Sequence, residues 1–394
     1  MLKIAKHLDI SHNVFTIDSF LEKCIGEYPE LIDYKCLSVK LESFSEIDVN
    51  DIFFDSLRSD YDGFNSWFNK KYDEKAYVCR DDKKNILVFL YIKLEDENEI
   101  YHDIWPVFKP LKRLKIGTFK VNSTGFRLGE RFIKIIFDNA YNLNVDEIYV
   151  TLYNNNENLI VLKELLSDWG FFEYGKKINN NSENNEIVLV KKMNIIEKEK
   201  SVKYNFPNVD YNTNKFILPI RSDYHTRLFP DSKTDDENEI DFLGETPEKY
   251  ALEKAYISFS YERNIKPGDF LIIYKMGKEN TSKQTSSLLT TIGVVKSVEY
   301  GYKEFEKNKF FNTCKNRTVF TSHELEMFWK LKRDEILVIK FIYLKKMKEY
   351  LNLSYLWNKG IIEYQKGPRP FTRITNDKFD LILNDSKTEI KFTR

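Results

Sequence analysis

The chain has 394 residues with 61 basic and 61 acidic side chains, a net charge of zero that excludes attachment to nucleic acid by bulk charge alone. Its length exceeds what one hydrophobic core usually organises, and 42% hydrophobic residues with 15% aromatics suffice for packed cores, so two soluble globular domains are expected. No uncharged apolar run approaches a membrane span, and His7, Asp9 and His12 interrupt an N-terminus that would otherwise suit a signal peptide. Cys24, Cys36, Cys79 and Cys314 show no metal-ligand spacing, so free thiols in a reducing cytoplasm, and no metal site, are expected.

Residues 36–41 alternate as a first strand. Residues 51–68 hold Phe53, Phe54, Tyr61, Phe64, Trp67 and Phe68, a spacing that predicts one or two helices whose rings pack a core or line a pocket. Residues 76–80 and 86–94 predict a β-hairpin around the turn 81–85. Residues 115–121 alternate with Ile116, Phe119 and Val121 and read as a strand, while Asn122 to Thr124 are turn formers. From Glu130 onward Phe132, Ile133, Ile135, Ile136 and Ala140 mark one apolar helix face. A strand that turns through Gly125 and Gly129 into a helix offers unpaired N–H donors and a partial positive charge, which suits a pyrophosphate. Residues 146–153 predict another strand, followed by an Asn-rich turn and a helix with Leu159, Leu162, Leu165 and Leu166 that ends at Trp169-Gly170-Phe171. A strand at 187–190 follows an Asn-rich hairpin tip at 179–185.

Over residues 36–193 this order resembles the GNAT superfamily of acetyl-CoA-dependent N-acetyltransferases, whose phosphate loop reads Q/R-x-x-G-x-G/A. Here the loop is Thr124-Gly125-Phe126-Arg127-Leu128-Gly129; Gly129 matches, Gly125 lies two residues early, and Arg127 adds a cation near the phosphates. The resemblance implies a mixed α+β domain with a splayed central sheet and acetyl-CoA as co-substrate. It assigns the pantetheine arm to backbone groups of Phe119, Lys120 and Val121, and the pyrophosphate to Thr124, Gly125, Phe126, Arg127, Leu128, Gly129 and Glu130. The family tyrosine that protonates the departing thiolate falls at Leu166, which cannot donate a proton. Tyr174 and Tyr153 are the nearby candidates for that acid. The acidic stretch Glu95, Asp96, Glu97, Glu99, His102 and Asp103 supplies candidates for a base, with an ordinary solvated loop as the competing reading.

The sequence divides into residues 1–195, a charged and turn-rich linker at 196–214, and residues 215–394. In the last part, residues 216–220, 270–274, 290–298 and 336–344 predict strands, 265–269 a tight turn, and Thr321 with Glu324 a capping box for a short helix. The pieces FILPIRSDYHTRLFPD, KPGDFLIIY and TTIGVVKSV, over about residues 215–385, resemble the PUA-like domains, including the ASCH and EVE groups. That likeness implies a small, partly open β-barrel and a nucleic-acid ligand, RNA or a modified nucleotide. Arg221, Tyr224, His225 and Arg227 combine a stacking plane, an imidazole and cations suited to a splayed base. Lys330, Lys332, Arg333, Lys345, Lys346 and Lys348 are candidates for a basic patch, against the bland readings of rim packing and a solvated face. Together the two resemblances imply an N-acetyltransferase whose second domain recruits an amine carried by RNA or tRNA. A protein or small-amine acetyltransferase with a docking module, or a coenzyme-binding RNA-binding protein without catalysis, are the alternatives.

Overall fold

The structure, a computed structural model, describes residues 39–81, 83–122, 128–153, 157–178, 185–232, 234, 247–260, 264–301 and 306–393. An eight-stranded sheet is built from β1 (Val39–Ser43), β2 (Lys75–Arg80), β3 (Ile86–Glu95), β4 (Ile104–Trp105), β5 (Arg113–Val121), β6 (Glu147–Leu152), β7 (Phe172–Lys177) and β8 (Glu186–Lys192). Its order is β1-β2-β3-β5-β6-β8-β7-β4. β5 and β6 are a parallel pair, because the connection between them runs through helix α3 (Leu128–Asn142) and returns to the same edge.

The faces of this sheet are set by alternation. On β3, Val88 and Leu90 join the cluster beneath α3, whereas Phe89 and Tyr91 join a second cluster with Phe53, Phe54, Phe64 and Phe68. Phe53 and Phe54 come from a 3₁₀ turn that leads into a short helix, α1 (Asp55–Asp60), and Phe64 and Phe68 from a second, α2 (Phe64–Asn69), in the aromatic stretch that the sequence marks as helical. α3 buries Phe132, Ile133, Ile136, Phe137 and Ala140, the stripe expected from its 3.6-residue period. Helix α4 (Glu157–Asp168) ends where Gly170 takes φ +85° and Phe171 N–H bonds back to Leu166, a left-handed stop that glycine adopts without strain.

A six-stranded sheet follows: β10 (Lys215–Ile220), β11 (Glu253–Ser258), β12 (Phe270–Lys275), β13 (Leu288–Tyr300), β14 (Leu337–Asn352) and β15 (Thr372–Ile374), in the order β11-β14-β13-β12-β10-β15. Around it lie α5 (Ser222–Leu228), α6 (Lys307–Cys314), α7 (Ser322–Lys332), α8 (Leu353–Asn358) and α9 (Asn376–Asp385). The capping box of α7 is formed: Thr321 N–H donates to Glu324 at 2.7 Å and Glu324 N–H to Thr321 Oγ1 at 3.2 Å. The protein is therefore of mixed α+β class.

Segment 196–214 is packed. Phe206 is buried with its ring 5.6 Å from those of both Phe137 and Trp169, and β9 (Val209–Asp210) pairs in parallel with β16 (Phe392–Thr393) near the end of the chain. One hydrophobic cluster runs from Phe132 and Phe137 of α3 through Phe206 to Ile217, Phe270 and Phe379. No helix among the described residues is long and apolar enough to cross a membrane.

Candidate active site

β5 and β6 are paired only from Arg113 opposite Glu147 to Ile116 opposite Val150. Beyond that point β5 continues to Val121 on β3, and β6 continues to Leu152 on β8, so the two strands part and their facing edges leave the ladder. The parting begins at Gly117, which sits opposite a register shift between Tyr91 and Ile92 of β3. A Cβ on Gly117 would lie 2.5 Å from Tyr91 Cδ1, so the Tyr91 ring closes over this bulge only because the residue is glycine. The exposed backbone edge of residues 117–121 can accept an extended ligand as an added strand.

On the α3 face of this gap, Phe119 stacks on Phe132 with ring centroids 6.1 Å apart. Gly129 lies close to α4, where a Cβ would stand 3.1 Å from Leu165 Cδ2. Leu166 is fully buried in the same cluster, so the position where the family has its tyrosine is core in this chain.

The opposite face has two aromatic walls. One is the cluster of α1 and α2; the other groups Phe108, Tyr149, Val188 and Val190 with Phe172 and Tyr174. At the wide end, Tyr61 from the turn after α1 packs its ring 5.0 Å from that of Tyr153, just beyond β6, and the Tyr153 backbone N–H hydrogen-bonds its oxygen. Burial, then the field of Glu186, raises the Tyr61 hydroxyl well above the usual tyrosine range. Glu186 opens β8 and is nearly buried; Lys177 Nζ donates to it at 3.4 Å. Because Leu152 pairs with Ile187, Tyr153 and Glu186 stand at the same level on neighbouring strands.

At the narrow end, Glu95 is buried and accepts hydroxyls from Tyr149 at 2.6 Å and Tyr101 at 2.9 Å, with Lys93 at 3.5 Å and Lys115 at 3.8 Å. Burial and the Glu95 carboxylate hold the Tyr149 hydroxyl protonated far above its usual range, and burial lowers the Lys115 ammonium. This cluster is satisfied internally and closes the gap.

Of the two tyrosines singled out in the sequence, Tyr153 lies at the wide end of the gap. Tyr174 instead donates to Val107 O at 3.2 Å and packs on Phe108. Glu97, His102 and Asp103 are exposed, and the edge strand β4 that follows them stands three strands from β6, about 14 Å at the usual strand spacing. Thr124, Gly125, Phe126 and Arg127 lie outside the described residues. Leu128 is buried, while Glu130 directs its carboxylate away from the strand gap to the second sheet, where Leu252 N–H, Glu253 N–H and Arg317 Nη2 donate to it at 3.0, 3.1 and 3.2 Å. The sequence marks Tyr61 only as one of the rings that pack a core or line a pocket, and does not mark Glu186. Tyr61 is one ring among many in an aromatic stretch, and a glutamate opening a strand after an Asn-rich turn carries no signal of its own.

In the second half, the four residues proposed to read a base do not form one surface. His225 is fully buried with Nε2 2.7 Å from Thr290 Oγ1. Arg221 is exposed, paired with Asp223 at 3.1 Å and 5.1 Å from the ring of Tyr224, whose other neighbour is Phe320. Arg227 is half-buried. Lys330 and Lys332 pair with Glu326 and Glu335, while Lys345 lies over Tyr141 of α3 at 4.9 Å, so the basic run is divided between two surfaces. Among the described residues no group of three or more His, Cys, Asp or Glu side chains is arranged to hold a metal ion.

No family model matches the chain, and no curated protein matches it. Solved structures similar to parts of it include Naa20 of Chaetomium thermophilum in complex with a bisubstrate analogue, at 15% identity and TM-score 0.31, covering 39% of this chain and 86% of that one. The ribosomal-protein-S5-alanine acetyltransferase of Vibrio fischeri is 14% identical with TM-score 0.29, covering 39% of this chain and 91% of that one. A mutant of the ASCH protein of Zymomonas mobilis is 8% identical with TM-score 0.29, covering 43% of this chain and 94% of that one.

Proposed function

We propose that the protein is an acetyl-CoA-dependent N-acetyltransferase, with residues 1–195 carrying the chemistry and residues 215–394, read as a PUA-like module, bringing in the acceptor. The observation that carries this reading is the parallel pair β5 and β6 that parts after Ile116 and Val150, with α3 starting a few residues beyond the free edge of β5. The residues fit the coenzyme. A glycine bulge opens the gap, a bare backbone edge lines it, and Gly129 leaves no side chain at the start of α3.

Bound acetyl-CoA supplies an acetyl group on a thiol of pKa near about 8.5, a fair leaving group. The chain must handle two protons. An acceptor ammonium of pKa roughly 10 has to lose one before its nitrogen attacks, and the Glu186 carboxylate is the base that faces the gap. As the new C–N bond forms and the C–S bond breaks, the Tyr153 hydroxyl gives a proton to the departing sulfur and is restored by the second proton that the nitrogen sheds, while the first leaves Glu186 for water. Tyr61 holds Tyr153 in place.

Calorimetry with acetyl-CoA should give saturable binding, and coenzyme at a hundred times its Kd should stabilise the fold by about 2.7 kcal/mol. Gly129→Trp should weaken binding, and since its Cβ would press on Leu165 of α4, only affinity measured on a variant that still melts cooperatively counts. No binding to the folded wild type overturns the proposal.

For the acceptor, we propose an amine carried by RNA. The exposed guanidinium of Arg221 beside the Tyr224 ring supports this, since a cation over an aromatic face suits a stacked base. In titrations of the full chain with labelled single-stranded RNA, Tyr224→Ala should weaken binding between several-fold and a hundredfold, roughly 1–3 kcal/mol. An unchanged affinity, or none at low salt, moves the acceptor to a protein or a small amine.

A further inference from the structure

On the acceptor face stands a cation that has no counter-ion within 4 Å among the described residues. Along β5 the side chains alternate, so Phe119 enters the α3 face and Lys120 the opposite, acceptor face, four residues past the last paired position of β5 and β6. Its ammonium donates to Ser56 Oγ at 2.6 Å and to the Phe53 carbonyl, and lies 5.0 Å from the Phe53 ring. Both oxygens are neutral. Among the described residues no carboxylate lies within 4 Å of this nitrogen. Asp55 and Asp60 stand farther off, and Asp55 is paired with Arg58. An ammonium has three N–H donors, so one remains for a ligand.

A half-buried charge held by neutral oxygens has lost part of its hydration without gaining a partner, and burial accordingly lowers its pKa. Across the gap stands a carboxylate, that of Glu186 at the start of β8, level with Tyr153 just beyond β6. One wall thus suits an amine and the other an anion. Lys120 reaches Phe53 and Ser56 beside α1, and Tyr61 at the end of α1 packs on Tyr153, so these residues share one face of the sheet.

We propose that Lys120 recognises an anionic group of the acceptor, and that the substrate is an amine bearing a carboxylate or a phosphate near its nitrogen. This rests on the acetyltransferase reading above. The competing role is structural, a lysine tying α1 to the sheet, and it makes different predictions.

The test uses the full chain with paired amines: ethanolamine against its phosphate ester, and a free amino acid against its amide. Thiol release from acetyl-CoA is followed after calorimetry has established coenzyme binding, so a failure of the parent reading appears first and separately. The wild type should show a KM at least tenfold lower for the anionic member of one pair, and which pair responds identifies phosphate or carboxylate. Lys120→Met, and Lys120→Gln should Met fold poorly, should erase that preference by raising KM for the anionic member about tenfold. The rise in KM should be several times smaller for the neutral member than for the anionic one, and Lys120→Arg should keep the preference. Equal use of both members by the wild type overturns the proposal. So does a preference that survives in both variants, an equal loss for charged and neutral amines, or no turnover of any anionic amine by coenzyme-loaded protein.

Discussion

Replacing Glu130 with alanine should destabilise the protein by about 3–5 kcal/mol, because breaking a buried ion pair strands its partners. The carboxylate sits in the first turn of α3 and is the common acceptor for two backbone N–H groups at the start of β11 and for the Arg317 guanidinium. Without it, the Leu252 and Glu253 amides lose a buried acceptor, and Arg317 keeps the Glu253 carbonyl at 3.1 Å and the Glu253 carboxylate at 3.5 Å. Glu130→Gln retains an acceptor oxygen and should lose about 1–2 kcal/mol. Urea denaturation measures both. A Glu130→Ala variant within 1 kcal/mol of wild type would mean that water replaces the carboxylate and that the joint is not dry.

Glu186→Gln should lower kcat by about 10²–10⁴-fold, the usual contribution of a general base, with coenzyme affinity unchanged. The amide keeps the size of the side chain and its contact with Lys177 while removing the proton acceptor. Tyr153→Phe should cost less, about tenfold, because a thiolate departs without much help. Turnover by Glu186→Gln within threefold of wild type would assign the base elsewhere on the acceptor face.

The parts of this architecture that the sequence makes legible are those governed by local periodicity. The stripe of Phe132, Ile133, Ile136, Phe137 and Ala140 is a helix face wherever it is placed, and the β2–β3 hairpin and the α7 capping box follow from residues within reach of one another. β7 escapes because it is polar, with exposed charges, and carries Gly175, where a Cβ would stand 2.1 Å from Trp105 O; the neighbour that demands this glycine is remote in sequence. The same reason hides the site chemistry. Tyr61, Tyr153 and Glu186 come from three segments that meet only in the folded chain, and Lys120 reads as a strand residue until its ammonium is found on neutral oxygens. His225 shows the converse error. Its neighbours Arg221 and Tyr224 are polar enough to suggest an outward face, but helical geometry turns position 225 inward toward Thr290.

The packing of segment 196–214 bears on how such a chain can be inherited and handled. Phe206 fills a space between Phe137 and Trp169, β16 from the far end of the sequence completes β9, and Lys391 reaches the last turn of α3 to meet Tyr141 O. A shortened gene encoding the first sheet alone would leave these aromatic rings wet, and one encoding the second sheet alone would leave Leu252 and Arg317 facing nothing. The two halves behave as an heirloom pair: each has become part of the other's interior, so recombination that separates them would yield sticky fragments rather than working modules.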